Sequence, residues 1–309
     1  MRSTGLLLVA LLLVPRTGIT QGTPPGAPLG PEFRVNTNTA DIQSIPAVAS
    51  DSSGNFVVVW QSGFQDGSNY GVFGQRYASS GAPIGPEFPI NTYTTSAQFF
   101  PAVASDSSGN FVVVWNSYGQ DGSSYGVFGQ RYTSTGAPLG PEFRVNTYTT
   151  NYQLFPAVAS DSSGNFVVAW SSHTQDGSND GVFGQRYASS GAPLGPEFRV
   201  NTYTTGGQGD PAVGSDSAGN FVVVWQGAFG GLNNIFGQRF ASNGAPLGPE
   251  FRVNTYTPYN QWAPSVASDS AGNFVVVWQS YYQDGSSYGV FGQRYGQIVP
   301  VELMHWTIE

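Results

Sequence analysis

The sequence predicts an all-β fold, a five-bladed β-propeller with four antiparallel strands in each blade of roughly 55 residues. Three observations carry that prediction. The segment Asp-Ser-(Ser/Ala)-Gly-Asn-Phe-Val-Val-(Val/Ala)-Trp begins at Asp51, Asp106, Asp161, Asp216 and Asp269, at spacings of 55, 55, 55 and 53. Two more blocks keep the same period: Phe-Gly-Gln-Arg-(Tyr/Phe) from Phe73 and Gly-Pro-Glu-Phe from Gly30. Finally, 41 Gly, 21 Pro and repeated β-branched runs disfavour helix over most of the chain.

The elements follow in order. Arg2, the apolar run Leu6 to Val14 and the small polar residues up to Gln21 read as a signal peptide over 1–20. That run falls short of the roughly 20 residues a bilayer span requires. The remainder is therefore expected to be secreted, extracellular or at the cell surface, with no membrane insertion. In the first copy Pro46–Ser50 is strand A, small enough for a crowded inner position. Asp51–Asn55 is a tight turn whose Gly54 can adopt the left-handed conformation. Phe56–Trp60 is strand B, apolar on both faces and so expected to be buried on both. Val72–Tyr77 and Pro86–Asn91 are strands C and D. A D-like segment at 31–36 precedes the first strand A, while the last copy ends after Tyr295. The propeller domain, 21–298, is thus circularly permuted, and residues 31–36 are expected to close it as strand D of the last blade. The tail, 299–309, is the competing strand.

Composition excludes several classes. There is no Cys, hence no disulfide, thiol nucleophile or zinc–thiolate cluster. All 11 basic residues are Arg, and setting aside Arg2 and Arg16 leaves 9 against 19 acids, a balance of −10. Such a surface suits neither nucleic acid nor anionic membranes.

The order Pro-Ala-Val-Ala-Ser-Asp-Ser-Ser-Gly-Asn-Phe-Val-Val-Val-Trp, then Val-Phe-Gly-Gln-Arg-Tyr-Ala-Ser-Ser-Gly, then Pro-Glu-Phe-Arg-Val-Asn resembles secreted bacterial repeats of the sialidase-type (BNR, or Asp-box) propeller superfamily over 26–295. The resemblance implies blade architecture. Ser79-Ser80-Gly81-Ala82-Pro83 occupies the place of that family's Asp-box turn, and its Asp is missing in every copy. The resemblance therefore comes without the family's catalytic residues.

Residues repeated in every copy read as structure. Glu32, Arg34 and Arg76 are expected to form cross-strand pairs. Gln-Asp-Gly-Ser at Gln65, Gln120, Gln175 and Gln283 offers one carboxylate per loop, which suits a turn better than calcium. No metal or other cofactor is expected. Divergence between copies gathers in the D-to-A and B-to-C connections, at one end of every blade. The candidate ligand-binding residues there are Phe99, Phe100, Tyr118, Tyr152, Phe229, Trp262 and Tyr281. The only acids outside the repeat pattern and ahead of the tail are Asp41, Asp180 and Asp210, read as loop residues of blades 1, 3 and 4, and His173 is the only His within the repeats. A glycosidase needs an acid and a nucleophile or base at a defined separation, and the sequence alone identifies no such pair. The expectation is a non-catalytic recognition or adhesion module for a carbohydrate or an extracellular protein. A structural surface-coat protein and a propeller glycoside hydrolase are the alternatives.

Overall fold

The structure is a computed structural model and describes residues 26–298. The expected signal peptide at 1–20 and the tail at 299–309 lie outside the described residues. The chain divides into two compact units at Arg34 and Val35. The described part of the first, residues 26–34, holds a turn at Gly26 and neither strand nor helix.

All strands belong to the second unit. Blade 1 is β1 (Gln43–Ser50), β2 (Phe56–Gly63), β3 (Tyr70–Tyr77) and β4 (Pro83–Pro89). Blade 2 is β5 (Gln98–Ser105), β6 (Phe111–Tyr118), β7 (Tyr125–Tyr132) and β8 (Phe143–Arg144). Blade 3 is β9 (Gln153–Ser160), β10 (Phe166–His173), β11 (Asp180–Tyr187) and β12 (Phe198–Arg199). Blade 4 is β13 (Gln208–Ser215), β14 (Phe221–Phe229), β15 (Leu232–Phe240) and β16 (Phe251–Arg252). Blade 5 has three strands, β17 (Gln261–Ser268), β18 (Phe274–Tyr281) and β19 (Tyr288–Tyr295). Strands pair antiparallel in chain order within each sheet, and the first strands of successive blades are neighbours. Five such sheets fit a five-bladed propeller.

The second strand of each blade explains the stacking. Its alternate residues face opposite neighbours, so Val57 and Val59 of β2 pack with Phe111, Val113 and Trp115 of β6. Val112 and Val114 of β6 then meet Phe166, Val168 and Trp170 of β10. The same interleaving joins blade 3 to blade 4 and blade 4 to blade 5. Each buried Val or Phe contributes roughly 1.5–3 kcal/mol by leaving water. At the opposite end from the variable loops, serines link the turns: Ser52 Oγ donates to the Ser107 carbonyl at 2.7 Å, and Ser107 to that of Ser162 at 2.7 Å.

Two expectations are corrected. The closing strand is not formed: the fifth sheet stays three-stranded and residues 31–36 lie in no strand. The physical reason lies in the outer strands, which in blades 2 to 4 pair over two residues only and so hold little ladder. Residues 35–37 lie instead against blade 1, where Tyr77 Oη donates to the Val35 carbonyl at 3.1 Å and Thr37 donates its N–H and hydroxyl to Glu87. No hydrophobic cluster joins blade 5 to blade 1 among the described residues, and Val48 (64%) and Val290 (78%) are exposed. The expected Glu–Arg pairs are also absent from the bonds these residues make. Glu87 accepts from Thr37 and the Gln65 amide, while Arg76 donates to the Ser134 carbonyl of the next blade at 2.7 Å.

Candidate active site

Every first strand begins with a β-bulge at the same place. The bulged residues are Ile45, Phe100, Phe155, Asp210 and Ala263, and all five are left-handed, with φ of 51°, 53°, 56°, 50° and 49°. For a residue with a Cβ this conformation costs about 1–2 kcal/mol, so the surroundings must impose it. They do so across blades. In four of the five the N–H donates to a side chain of the preceding blade: Phe100 to Gln61 at 3.1 Å, Phe155 to Asn116 at 3.0 Å, Asp210 to Ser171 at 3.1 Å and Ala263 to Gln226 at 3.1 Å. Four of the five bulged side chains are apolar. The fifth is a carboxylate.

The mouth of the second hairpin shows the same kind of exception. In blade 2 the cross-strand pair is Tyr118 and Tyr125, with ring centroids 4.9 Å apart, and in blade 5 it is Tyr281 and Tyr288 at 5.1 Å. In blade 3 that pair is His173 and Asp180, and Nδ1 lies 2.9 Å from Oδ1. It is the only side-chain ion pair among the described residues, with each side chain about one-third exposed. Tyr152 lies flat on His173, at 4.6 Å and 17° between planes. Its pKa is raised, first by burial and then by the Asp180 carboxylate.

Asp210 of blade 4 lies within reach of the Asp180 charge. Its pKa is raised, first by burial and then by the charge of Asp180. Burial and a like charge both disfavour the ionised form. Its Oδ2 accepts from Gln226 Nε2 at 2.6 Å. Two carboxylates from adjacent blades thus stand in unlike surroundings: Asp180 pairs with His173, while Asp210 has one amide donor.

Blade 4 is also stripped of bulk beside Asp210. Gly209 stands where other blades carry Ser44, Phe99, Leu154 and Trp262, and a Cβ on Gly207 would meet open space. The two-residue deletion turns the blade 4 loop into a tight hairpin, Phe229 opposite Leu232, with Gly230 and Gly231 both at positive φ. By contrast, the clefts between blades at the opposite end, such as that lined by Asp161, Arg186 and Ser242, repeat with their polar groups already engaged.

The sequence placed Asp180 and Asp210 in loops of separate blades. The structure corrects this, since Asp180 opens β11, Asp210 lies in β13, and their charges interact. Asp41 stays apart, exposed in blade 1. Of the aromatic candidates, Tyr152 joins the acid cluster, and Phe100 packs against Phe155 at the neighbouring bulge, 5.1 Å between centroids. The others remain within their own blades: Phe99 and Tyr118 on Tyr125, Phe229 on Tyr203, Trp262 and Tyr281 on Tyr288. Only Tyr118 and Phe229 of the seven are exposed. In the Gln-Asp-Gly-Ser loops Asp66, Asp121 and Asp176 each accept the N–H of the Ser two residues on at 3.1 Å, as turns do. Sequence reading missed the pairing of Asp180 with Asp210. The signal was present: Asp180 replaces the Tyr found at 70, 125 and 288.

No protein-family model matches the sequence, and no curated protein does. Solved structures of similar fold include an α-L-arabinanase of Penicillium chrysogenum complexed with arabinobiose, with a TM-score of 0.54 and 15% identity over 80% of each chain. An α-L-arabinofuranosidase of Fusarium graminearum in complex with an iminosugar inhibitor gives 0.52 and 10%, again over 80% of each. A Hadza microbial sialidase gives 0.51 and 10%, over 81% of this chain and 56% of its own. At these identities the likeness shows the propeller fold. The expectation of a non-catalytic recognition or adhesion module does not stand beside them. The solved structures named above are an arabinanase, an arabinofuranosidase and a sialidase, and the charges of Asp180 and Asp210 interact across blades 3 and 4.

Proposed function

We propose that the chain is a glycoside hydrolase of the propeller type, with its site between blades 3 and 4. The observation that carries this reading is that Asp210, bonded to Gln226 and raised in pKa by burial, feels across blades the charge of Asp180, which His173 holds at 2.9 Å. Asp210 is the general acid: its protonated carboxyl gives a proton to the departing glycosidic oxygen. Asp180 is the second carboxylate and removes a proton from the attacking water. His173 and Tyr152 position it. Phe100, Phe155 and Tyr152 offer apolar surface to a sugar ring, and Phe99, Tyr118, Phe229, Trp262 and Tyr281 are outlying contacts for a longer glycan. The arabinose-derived and sialic-acid classes named for the structural neighbours are the first substrates to try. Residues 2–14 support export, which would bring the enzyme to extracellular glycans.

The test is sugar release from linear arabinan, aryl α-L-arabinofuranosides and aryl sialosides by wild type, Asp210→Asn and Asp180→Asn. Turnover of one class, lowered roughly 10²–10⁴-fold by either substitution, is expected for an acid–base pair. Turnover unchanged in both variants, or none by wild type across such a panel, overturns the reading.

A further inference from the structure

We propose that Gln226 is a positioning residue that fixes which oxygen of Asp210 carries the proton. Its side chain bridges two blades. Oε1 accepts the Ala263 N–H of blade 5 at 3.1 Å, and Nε2 donates to Asp210 Oδ2 at 2.6 Å. A backbone N–H can only donate, so the Gln226 oxygen must face Ala263 and the nitrogen must face Asp210. The amide cannot flip without losing both bonds. Oδ2 is therefore held as an acceptor, and the proton of the neutral acid sits on Oδ1.

The arrangement is specific to blade 4. The equivalent Gln61 of blade 1 also accepts from the next bulge, but its nitrogen donates to Ser44 Oγ at 3.0 Å. Asn116 of blade 2 spends its nitrogen on the Gln153 carbonyl. Asp210 is secured at its other end by blade 3, through Ser171 Oγ and its own N–H. Three consecutive blades thus orient one carboxyl.

Donation to Oδ2 favours the ionised form and so works against burial and Asp180. The titratable group whose charge reaches Asp210 is Asp180 on β11, which pairs with His173, on which Tyr152 stacks. The adjacent bulged residues Phe155 and Ala263 carry no charge. Removing the Gln226 donor should therefore move Asp210 further upward.

The inference rests on the acid role of Asp210, but its test does not need turnover. The Asp210 carboxyl carbon is followed by NMR as a function of pH in intact wild type, Gln226→Leu and Gln226→Glu. Gln226→Glu keeps an acceptor for Ala263 and serves if the Leu variant fails to fold. Both variants should titrate about one unit higher than wild type, with the Glu variant at least as high. Identical titration in a folded variant overturns the proposal. Where a substrate is turned over, the alkaline limb of kcat/KM should move up by the same amount. Movement of the acid limb instead would make Asp210 a base and refute its role as proton donor. A displaced NMR titration alongside Asp210→Asn turnover equal to wild type would leave Gln226 as assigned and remove the hydrolase reading.

Discussion

Blades 2 and 3 share one backbone and nearly one sequence, yet they present different chemistry at the same end. Their second strands bury the same Trp, Trp115 and Trp170, with no exposed surface. Their hairpin mouths pair the same positions. Blade 2 fills them with Tyr118 and Tyr125, a ring contact of 4.9 Å, and blade 3 with His173 and Asp180, an ion pair of 2.9 Å. The next bulge differs too: beyond blade 2 it holds Phe155, beyond blade 3 Asp210. The strands of a repeat are held constant by packing on both faces. The ends, freed from packing, can exchange an aromatic contact for a titratable one at little cost to the fold.

The comparison can be broken in several ways. The largest effect belongs to the constant part. Trp115→Ala should cost about 3–5 kcal/mol in denaturant unfolding, as a buried large-to-small change does, and Trp170→Ala the same. A loss under 1 kcal/mol would mean that the blade interfaces are not the source of stability. Next, the double change His173→Tyr and Asp180→Tyr gives blade 3 the pair of blade 2. The protein should fold and lose hydrolysis, by roughly 10²-fold or more. The Asp210 titration should also fall, because its charged neighbour is gone. An unmoved titration would separate the two carboxyls.

A smaller effect concerns Asp210 and stability. Its folded pKa is raised above the unfolded value, so its contribution to stability is full below the unfolded pKa, near 3.9, and is lost as pH rises through the folded pKa. At neutral pH Asp210→Asn should therefore melt higher than wild type, and the difference should vanish in acid. Asn also suits the left-handed backbone at 210. A lower melting point at neutral pH would show that the charge is satisfied. The smallest change is Trp262→Ala, a half-buried residue resting on Tyr288. It should cost well under what Trp115→Ala does in the same unfolding assay. Equal losses would make the outer aromatics part of the core.

The blades were legible in the sequence because their cause is local. Phe56–Trp60 is apolar on both sides, and Gly54 closes its turn at φ 81°. The packing of strand B against two neighbours follows from those residues. Two features were not legible. The inner strand was read from Pro46, because the bulge at Ile45 breaks the two-residue alternation that marks a strand. Strand 1 in fact starts at Gln43, and in blade 4 the same bulge carries Asp210. The convergence of Asp180 and Asp210 was hidden for a second reason. They lie 30 positions apart in different copies, and only the stacking of blade 4 on blade 3 brings them together. Inspecting the variable positions found Tyr152, while Asp180 and Asp210 were noted but read as separate loop residues.

The central claim is that the exceptional acids of blades 3 and 4, Asp180 and Asp210, form a catalytic pair, whereas the third acid outside the repeat pattern takes no part. Asp41 supplies the control, since it too lies outside the repeat but is exposed and distant from the pair in the chain. The direct measurement is the rate of sugar release by wild type, Asp210→Asn and Asp41→Asn on whichever substrate the wild type turns over. The account predicts a loss of roughly 10²–10⁴-fold for Asp210→Asn and a wild-type rate for Asp41→Asn. Equal rates in all three proteins would contradict it.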